Sequence, residues 1–204
     1  MNQRIIYLIA TLSLLVMSCS KTSFETEQEL LDYIQDEANG YIQKKTIKDV
    51  DFSLLYKPTD LLVSKDIQGA KEAVNVTALR DQYDNYLYFN LSISHNNQEL
   101  LNTIPKNRHE FGQMVQQLSF GMRDKITLHT KSKETIEMMD FVYPRMYGMS
   151  SATTILLVYP RDEEKLKEEF LYLKIKDLGI GTGEVKFKIP TEILYQQPIV
   201  TFEN

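Results

Sequence analysis

The glycines at alternate positions in 179–183 are the first residues of this 204-residue chain that could do chemistry. Backbone N–H groups of a glycine-rich loop can hold a phosphate, but a nucleotide loop needs a wider glycine spacing or a helix directly after it. The residues that follow, Val185, Phe187 and Ile189, instead alternate with charged ones, which is typical of a strand. We therefore predict a hairpin turn whose glycines take positive φ angles, and we expect neither a nucleotide nor any other cofactor.

Two other patterns of catalytic residue types are incomplete. Ser150 and Ser151 follow a glycine as in the nucleophile elbow of a hydrolase, but the closing glycine is missing and the residues after them are strand-like. His95, His109 and His129 are too far apart in sequence to bind one metal ion from a single helix. The sequence therefore predicts no catalytic residue and no metal site.

The segment 143–147, Tyr-Pro-Arg-Met-Tyr, is the best candidate for a binding surface. Tyrosine and arginine are enriched in recognition surfaces because each combines a large contact area with directional hydrogen bonds. We expect Tyr143, Arg145 and Tyr147 to contact a partner if the protein recognises one. The alternative is that both tyrosines close the end of the core and that Arg145 pairs with one of the many acids.

Cys19 is the only cysteine, and it closely follows an apolar run, residues 5–17, that begins after Arg4. This run is too short to span a bilayer as a helix, and its position is that of a secretory signal. Residues 1–19 resemble the signal of bacterial lipoproteins, and this resemblance covers those residues only. In length and general style the chain is similar to uncharacterised lipoproteins of Bacteroidota-like bacteria. The resemblance implies cleavage before Cys19 and a lipid on its sulfur that attaches the protein to a membrane. Because Ser20 is not the aspartate that retains such proteins in the inner membrane, the resemblance also implies the outer membrane, with the periplasmic and the cell-surface side both open.

Composition limits the remaining classes of protein. The net charge of −5 disfavours nucleic acid as a partner. A chain whose single cysteine carries a lipid has no disulfide, so its apolar residues, 43% of the chain, must stabilise the fold. We expect a signal peptide over residues 1–18, a short tether over 19–25 and a single α+β domain over 26–204.

Two helices and several strands are predicted within that domain. Thr26 and Glu29 form a capping box before apolar residues at helical spacing that continue to Ile42. A second amphipathic helix is expected near 107–121, with Leu118 in the core. Apolar alternation or continuous apolar runs predict strands at residues 50–54, 74–76, 86–94, 126–130, 155–158, 171–175 and 185–189. The predicted fold class is α+β: a mostly antiparallel β-sheet or sandwich with an N-terminal amphipathic helix and the second helix on a face or edge.

Residues 86–159 also resemble an FKBP-type prolyl isomerase in their order of strand, helix and strands. Phe111, Met122 and the pair Tyr147-Gly148 are the matching points. The chain departs from that family because it has no tryptophan and because further strands follow. The interpretation we favour is a non-enzymatic lipoprotein that acts as a binding or assembly module with an unidentified protein partner. The alternative is an FKBP-like prolyl isomerase or another periplasmic enzyme.

Overall fold

The computed structural model describes residues 23–70 and 74–202. The predicted signal peptide and Cys19 lie outside the described residues, as does the first part of the predicted tether. No helix within these two ranges is long and apolar enough to cross a membrane.

The strands of the described chain are β1 (Ser23–Phe24), β2 (Ile42–Ile47), β3 (Val50–Lys57), β4 (Tyr86–His95), β5 (Ile126–Thr130), β6 (Thr135–Ile136), β7 (Asp140–Val142), β8 (Thr153–Pro160), β9 (Phe170–Ile175), β10 (Val185–Pro190) and β11 (Ile199–Val200). Its α-helices are α1 (Glu27–Gln35), α2 (Thr59–Gly69), α3 (Val76–Tyr83), α4 (Leu100–Thr103), α5 (Arg108–Gln116), α6 (Met122–Lys125), α7 (Glu163–Leu166) and α8 (Glu192–Tyr195). A 3₁₀ turn, Glu37–Asn39, follows α1, and a π-helical turn, Gln117–Gly121, joins α5 to α6.

Two antiparallel sheets form the centre of the molecule. One has five strands in the order β2-β3-β4-β8-β7, and the other has four in the order β10-β9-β5-β6. The edge strands β2 and β10 lie side by side, because Gln43 Nε2 donates to the carbonyl of Lys188 at 2.6 Å. At the opposite edge the chain passes from β6 into β7 within a few residues. The two sheets therefore pack as a sandwich, and the predicted α+β class is confirmed.

Alternate residues of the strands fill a shared core between the two sheets. The inward side chains of β4, which the alternation predicted, are all buried: Leu87, Phe89, Leu91 and Ile93. Leu171 on β9 and Phe187 on β10 are buried from the other sheet. Leu118, expected in the core, has no exposed surface, and neither has Leu157 on the predicted strand 155–158.

The first helix begins as predicted but ends earlier. Thr26 Oγ1 accepts a hydrogen bond from the N–H of Glu29 at 3.2 Å, which confirms the cap. The helix then stops at Gln35 rather than continuing to Ile42, which belongs to β2. The helix ends because Asp36 is extended, with ψ of 119°, and its Oδ1 instead accepts the N–H of Ala38 at 2.9 Å to cap the 3₁₀ turn. Gly40, whose φ of 78° is left-handed, then directs the chain into the strand.

The described parts of the segment between β3 and β4 are mostly helical, contrary to the prediction of a short strand there. Pro58 directly precedes α2, and Thr59 is the first residue of the helix. Proline is favourable at a helix start because the missing N–H would have no partner there. The strand predicted over 74–76 is wrong, because Val76 begins α3 and Asn75 Oδ1 caps it by accepting the N–H of Ala78 at 3.0 Å.

The second helix extends slightly beyond its predicted range. Asn107 Oδ1 caps α5 by accepting the N–H of Glu110 at 3.0 Å. Gly121 does not end the helix, because the π-helical turn carries the chain into α6, which runs to Lys125. No pattern of residue types in this segment predicts the wider turn.

The sandwich has two ends with different neighbours. β1, formed by Ser23 and Phe24 from the predicted tether, pairs in parallel with β11. This pair lies where β3 finishes, because Asp60 Oδ2 accepts the N–H of Val200 at 2.6 Å. We call this the proximal end, and we call the end at which β4 finishes and β8 begins the distal end. β4 has ten residues, and at about 3.3 Å per residue it separates the two ends by about 30 Å.

Candidate binding surface at the distal end

The segment 143–150 connects β7 to β8 at the distal end, and a buried carboxylate holds it. Glu99 is only 2% exposed. Its Oε1 accepts the backbone N–H groups of Gly148 at 3.0 Å and Ser150 at 3.2 Å. Glu99 is itself fixed by α4, whose first residue Leu100 donates its N–H to Thr153 Oγ1 at 2.9 Å. Hydrogen bonds to an ionised acceptor are stronger than neutral ones, so Glu99 gives this loop one definite conformation.

Two consecutive residues of the loop have left-handed backbone conformations. The φ angle of Tyr147 is 54° and that of Gly148 is 84°. For a residue with a side chain this conformation costs about 1 kcal/mol, so surrounding contacts must hold it. A side chain at position 148 would also crowd Asn102, because a Cβ there would lie 3.0 Å from Asn102 Nδ2. The result is that Tyr147 points outward and is 74% exposed.

Arg145 is half-buried and stacks on two aromatic rings. Its guanidinium carbon lies 5.5 Å from the ring centre of Phe111 on α5 and 4.8 Å from that of Tyr147. Such contacts between a cation and an aromatic face stabilise the position of the guanidinium. The expected alternative, a pair between Arg145 and an acid, is not formed within the described part of the chain.

Tyr143 differs from its two companions because its hydroxyl is buried. No group among the described residues accepts or donates a hydrogen bond there. Burial raises the pKa of Tyr143 above its ordinary value; the charge of Glu99 adds to this, and the cation of Arg145 opposes it. Tyr143 therefore packs beneath the loop as a neutral group, whereas Arg145 and Tyr147 reach its surface.

Exposed apolar side chains are concentrated in this part of the molecule. Eight large apolar residues are exposed in the described chain, and five of them lie between positions 139 and 149. They are Met139, Val142, Met146, Tyr147 and Met149. Methionine, tyrosine and arginine are enriched in protein interfaces, and flexible methionines adapt to varied partner surfaces. We call Arg145, Met146, Tyr147 and Met149 the distal surface.

A groove of about 650 Å³ lies on the other side of α5. Its size is within the range of small-molecule sites. Gln117 in the π-helical turn donates to the carbonyl of Leu178 at 2.9 Å and so connects its two walls. Residues of the groove include Ile104, Met114, Gln117, Phe120, Asp124 and Leu178.

The residues that match the prolyl isomerase pattern do not come together at this groove. Neither Phe111 nor Met122 lines it, and Tyr147 and Gly148 do not either. Met122 is fully buried in the core, and Phe111 is covered by Arg145. The resemblance in element order therefore does not extend to an assembled pocket.

The glycine-rich segment 179–183 is the turn between β9 and β10, as predicted. Gly179, Gly181 and Gly183 have φ angles of 82°, 75° and 71°. The carboxylate of Asp177 accepts N–H groups of the turn, including those of Gly179 at 2.8 Å and Gly183 at 2.9 Å. Partial burial raises the pKa of Asp177, but these backbone donors outweigh it and hold the pKa below its usual range. The chain's own anion thus occupies the donors that a phosphate would need.

His129 and Ser150, two of the residues considered as metal-binding or catalytic, have ordinary structural contacts. The ring of His129 stacks on Tyr172 at 5.6 Å. Ser150 Oγ accepts the N–H of Ala152 at 3.3 Å. Over the described ranges, no group of three or more histidine, cysteine, aspartate or glutamate side chains is placed to hold a metal ion.

No protein-family model matches the chain, and no curated protein matches it either. Solved structures that resemble it include a novel protein of unknown function from Burkholderia pseudomallei, with 12% identity and a TM-score of 0.38 over 74% of this chain and 80% of that one. Another is a DUF4426 family protein from Pseudomonas aeruginosa, with 9% identity and a TM-score of 0.36 over 80% of this chain and 98% of that one. Neither likeness carries an argument about function.

Proposed function

We propose that the chain is a lipoprotein of the outer membrane that acts as a binding or assembly module and recognises a protein partner through the distal surface. The observation that carries the proposal is the loop itself. A buried carboxylate, Glu99, holds a left-handed backbone that exposes Tyr147 and Met149 to solvent. Exposed apolar side chains on a fixed loop have no role in stabilising the fold, but they suit an interface.

The position of the predicted anchor supports a protein rather than a lipid as the partner. A lipid on Cys19 would be followed by only a few residues before β1, so the proximal end would lie next to the membrane. The distal surface lies near the other end of β4, about 30 Å away. A surface so placed faces away from the bilayer that holds the protein.

An enzymatic function receives less support from the geometry. The prolyl isomerase alternative requires Phe111, Met122 and Tyr147 at one pocket, and the groove contains none of them. The binding or assembly module is therefore the function that the geometry supports best.

Photo-crosslinking in living cells tests it. Benzoylphenylalanine replaces Tyr147 in the full-length chain, and in a matched control it replaces Tyr195, which is also exposed but lies on α8 at the proximal end. We expect a discrete crosslinked protein from position 147 and none from position 195. Crosslinks to lipid alone, or the same protein from both positions, would contradict the proposal.

A further inference from the structure

Arg145 differs from the other half-buried or buried arginines in having no acceptor. Arg80 donates to Asp60 Oδ1 at 2.8 Å, and Arg161 donates to the carbonyl of Leu194 at 2.8 Å. Within the described chain, no such hydrogen bond is made by Arg145. Its position is fixed by ring contacts, while its hydrogen-bonding capacity is unused.

The ring contacts hold the guanidinium of Arg145 without using its hydrogen-bond donors. Its central carbon lies over the rings of Phe111 and Tyr147, and its N–H groups make no hydrogen bond with the described chain. A guanidinium is planar, and two parallel N–H groups on one of its edges match the two oxygens of a carboxylate. Because the arginine is already held, less side-chain entropy is lost on binding than for a free arginine.

We infer that Arg145 determines the specificity of the distal surface by binding a carboxylate of the protein partner, an aspartate or glutamate side chain flanked by apolar residues. The apolar neighbours of that carboxylate would pack on Met146, Tyr147 and Met149, which are all exposed. This inference rests on the proposed function and adds the chemistry of the partner.

Local charge favours an anion here although the whole chain is acidic. Lys106, Arg108 and His109 are exposed at the start of α5, and Arg108 lies one helical turn before Phe111. Of the two acids in this region, Glu110 accepts the N–H of Lys106 at 2.8 Å, and Glu99 is buried and hydrogen-bonded to backbone N–H groups. A guanidinium flanked by exposed apolar side chains fits one carboxylate of a protein better than the dense phosphates of a lipid surface, and the distal surface faces away from the anchor.

The test is a selection of displayed random dodecapeptides on the full-length lipidated protein in detergent. We expect enriched peptides to carry an aspartate or glutamate beside leucine, isoleucine, methionine or phenylalanine. A synthetic peptide of the enriched sequence should bind Arg145→Ala about ten-fold more weakly or worse, because a charge-assisted bidentate bond is lost. Arg145→Lys, which keeps the charge but not the fork, should also bind more weakly. The control Lys167→Ala should stay within about two-fold, since it removes only an exposed charge that pairs with the neighbouring Glu164.

The outcomes separate this inference from the proposed function. Enriched peptides without an acid, or unchanged binding to a folded Arg145→Ala, would overturn the inference. The proposed function would still stand if the double variant Tyr147→Ser/Met149→Ser lost the same peptides. The inference and the proposed function would both fail if no peptide bound the wild type more tightly than it bound that double variant. Binding of inorganic phosphate or anionic vesicles through Arg145, without peptide binding, would also overturn the inference because it identifies a different ligand class.

Discussion

Lys57 is a buried cation at the proximal end of β3, and replacing it with methionine should stabilise the protein at neutral pH. The residue is only 8% exposed. Burial lowers the pKa of Lys57 to about 8, the neighbouring Lys65 on α2 lowers it further, and Glu27 on α1 acts in the opposite direction. Methionine keeps the length and the apolar stem of lysine but carries no charge that must be desolvated.

The size and the sign of the effect follow from the two pKa values. The pKa of about 8 in the fold and the ordinary value of 10.5 in the unfolded chain correspond to about 3 kcal/mol against folding. Below pH 8 the Lys57 amine is protonated in both the folded and the unfolded state, so the full cost of burying its charge remains. Between pH 8 and 10.5 the unfolded state binds more protons, so the free energy of unfolding rises with pH. Local relaxation reduces such costs, and we expect Lys57→Met to gain about 1–3 kcal/mol at pH 7.

Urea titrations at pH 7, 8, 9 and 10 measure this gain. Far-ultraviolet circular dichroism follows the unfolding, because tyrosine fluorescence itself changes as exposed tyrosines ionise near pH 10. The advantage of Lys57→Met over the wild type should shrink toward zero as the pH approaches 10. Lys106→Met removes an exposed lysine and serves as the control with no such trend. A Lys57→Met variant that is less stable at pH 7, or an advantage that does not change with pH, would refute the reasoning.

Three further predictions concern the anchor, the core and the glycine turn. Cys19→Ser should release the protein from the membrane fraction into the soluble fraction, and its retention after a carbonate wash would exclude the lipid anchor. Leu118→Ala and Leu157→Ala should each lower the free energy of unfolding by about 2–5 kcal/mol in urea titrations, because both side chains are fully buried; losses below about 1 kcal/mol at both sites would contradict this packing. The turn 179–183 should give no heat of binding with ATP in calorimetry, because Asp177 occupies its N–H groups, and saturable binding would show that the carboxylate can be displaced.

The strands could be predicted where one face of a sheet is buried. In β9 and β10 every second residue is buried, and apolar residues occupy the same alternate positions in the sequence. Helix starts were also readable, because the caps Thr26 and Asn107 act on residues three positions away. These features depend on neighbours in the chain, so no tertiary information is needed to find them.

Helix ends and the short helices were harder to predict. Tyr41 and Ile42 continue the helical spacing of α1, yet both follow the left-handed Gly40 and pair with β3 or pack in the core. Both side chains would face the core on a continued helix, as they do where the strand begins. Apolar spacing therefore cannot distinguish a helix that continues from a strand that begins. Pro58 had a similar ambiguity, because proline is common both in turns and directly before helices.

The candidate site was predictable only in part. Tyr143, Arg145 and Tyr147 stand out because their types are clustered in sequence. Glu99 gave no signal, since it follows a polar turn and resembles any surface acid. Its burial arises when α4 closes against the start of β8, about fifty residues later in the chain. Sequence patterns over a few residues therefore identify the side chains proposed to contact a partner, but not the distant carboxylate that positions them.

The contrast between Glu99 and the residues it holds is the main physical argument for a function at the distal end. A connection from β7 to β8 could be made with polar residues and an unstrained backbone, at no cost in exposed apolar surface. This chain instead has a left-handed Tyr147, exposed Met146 and Met149, and a buried carboxylate that keeps them in place. Each of these features lowers stability relative to the simpler connection unless something binds there. Arg145 is likewise held by two rings while its donors make no hydrogen bond within the described chain, so the proposed partner would account for features of the loop that the fold does not require.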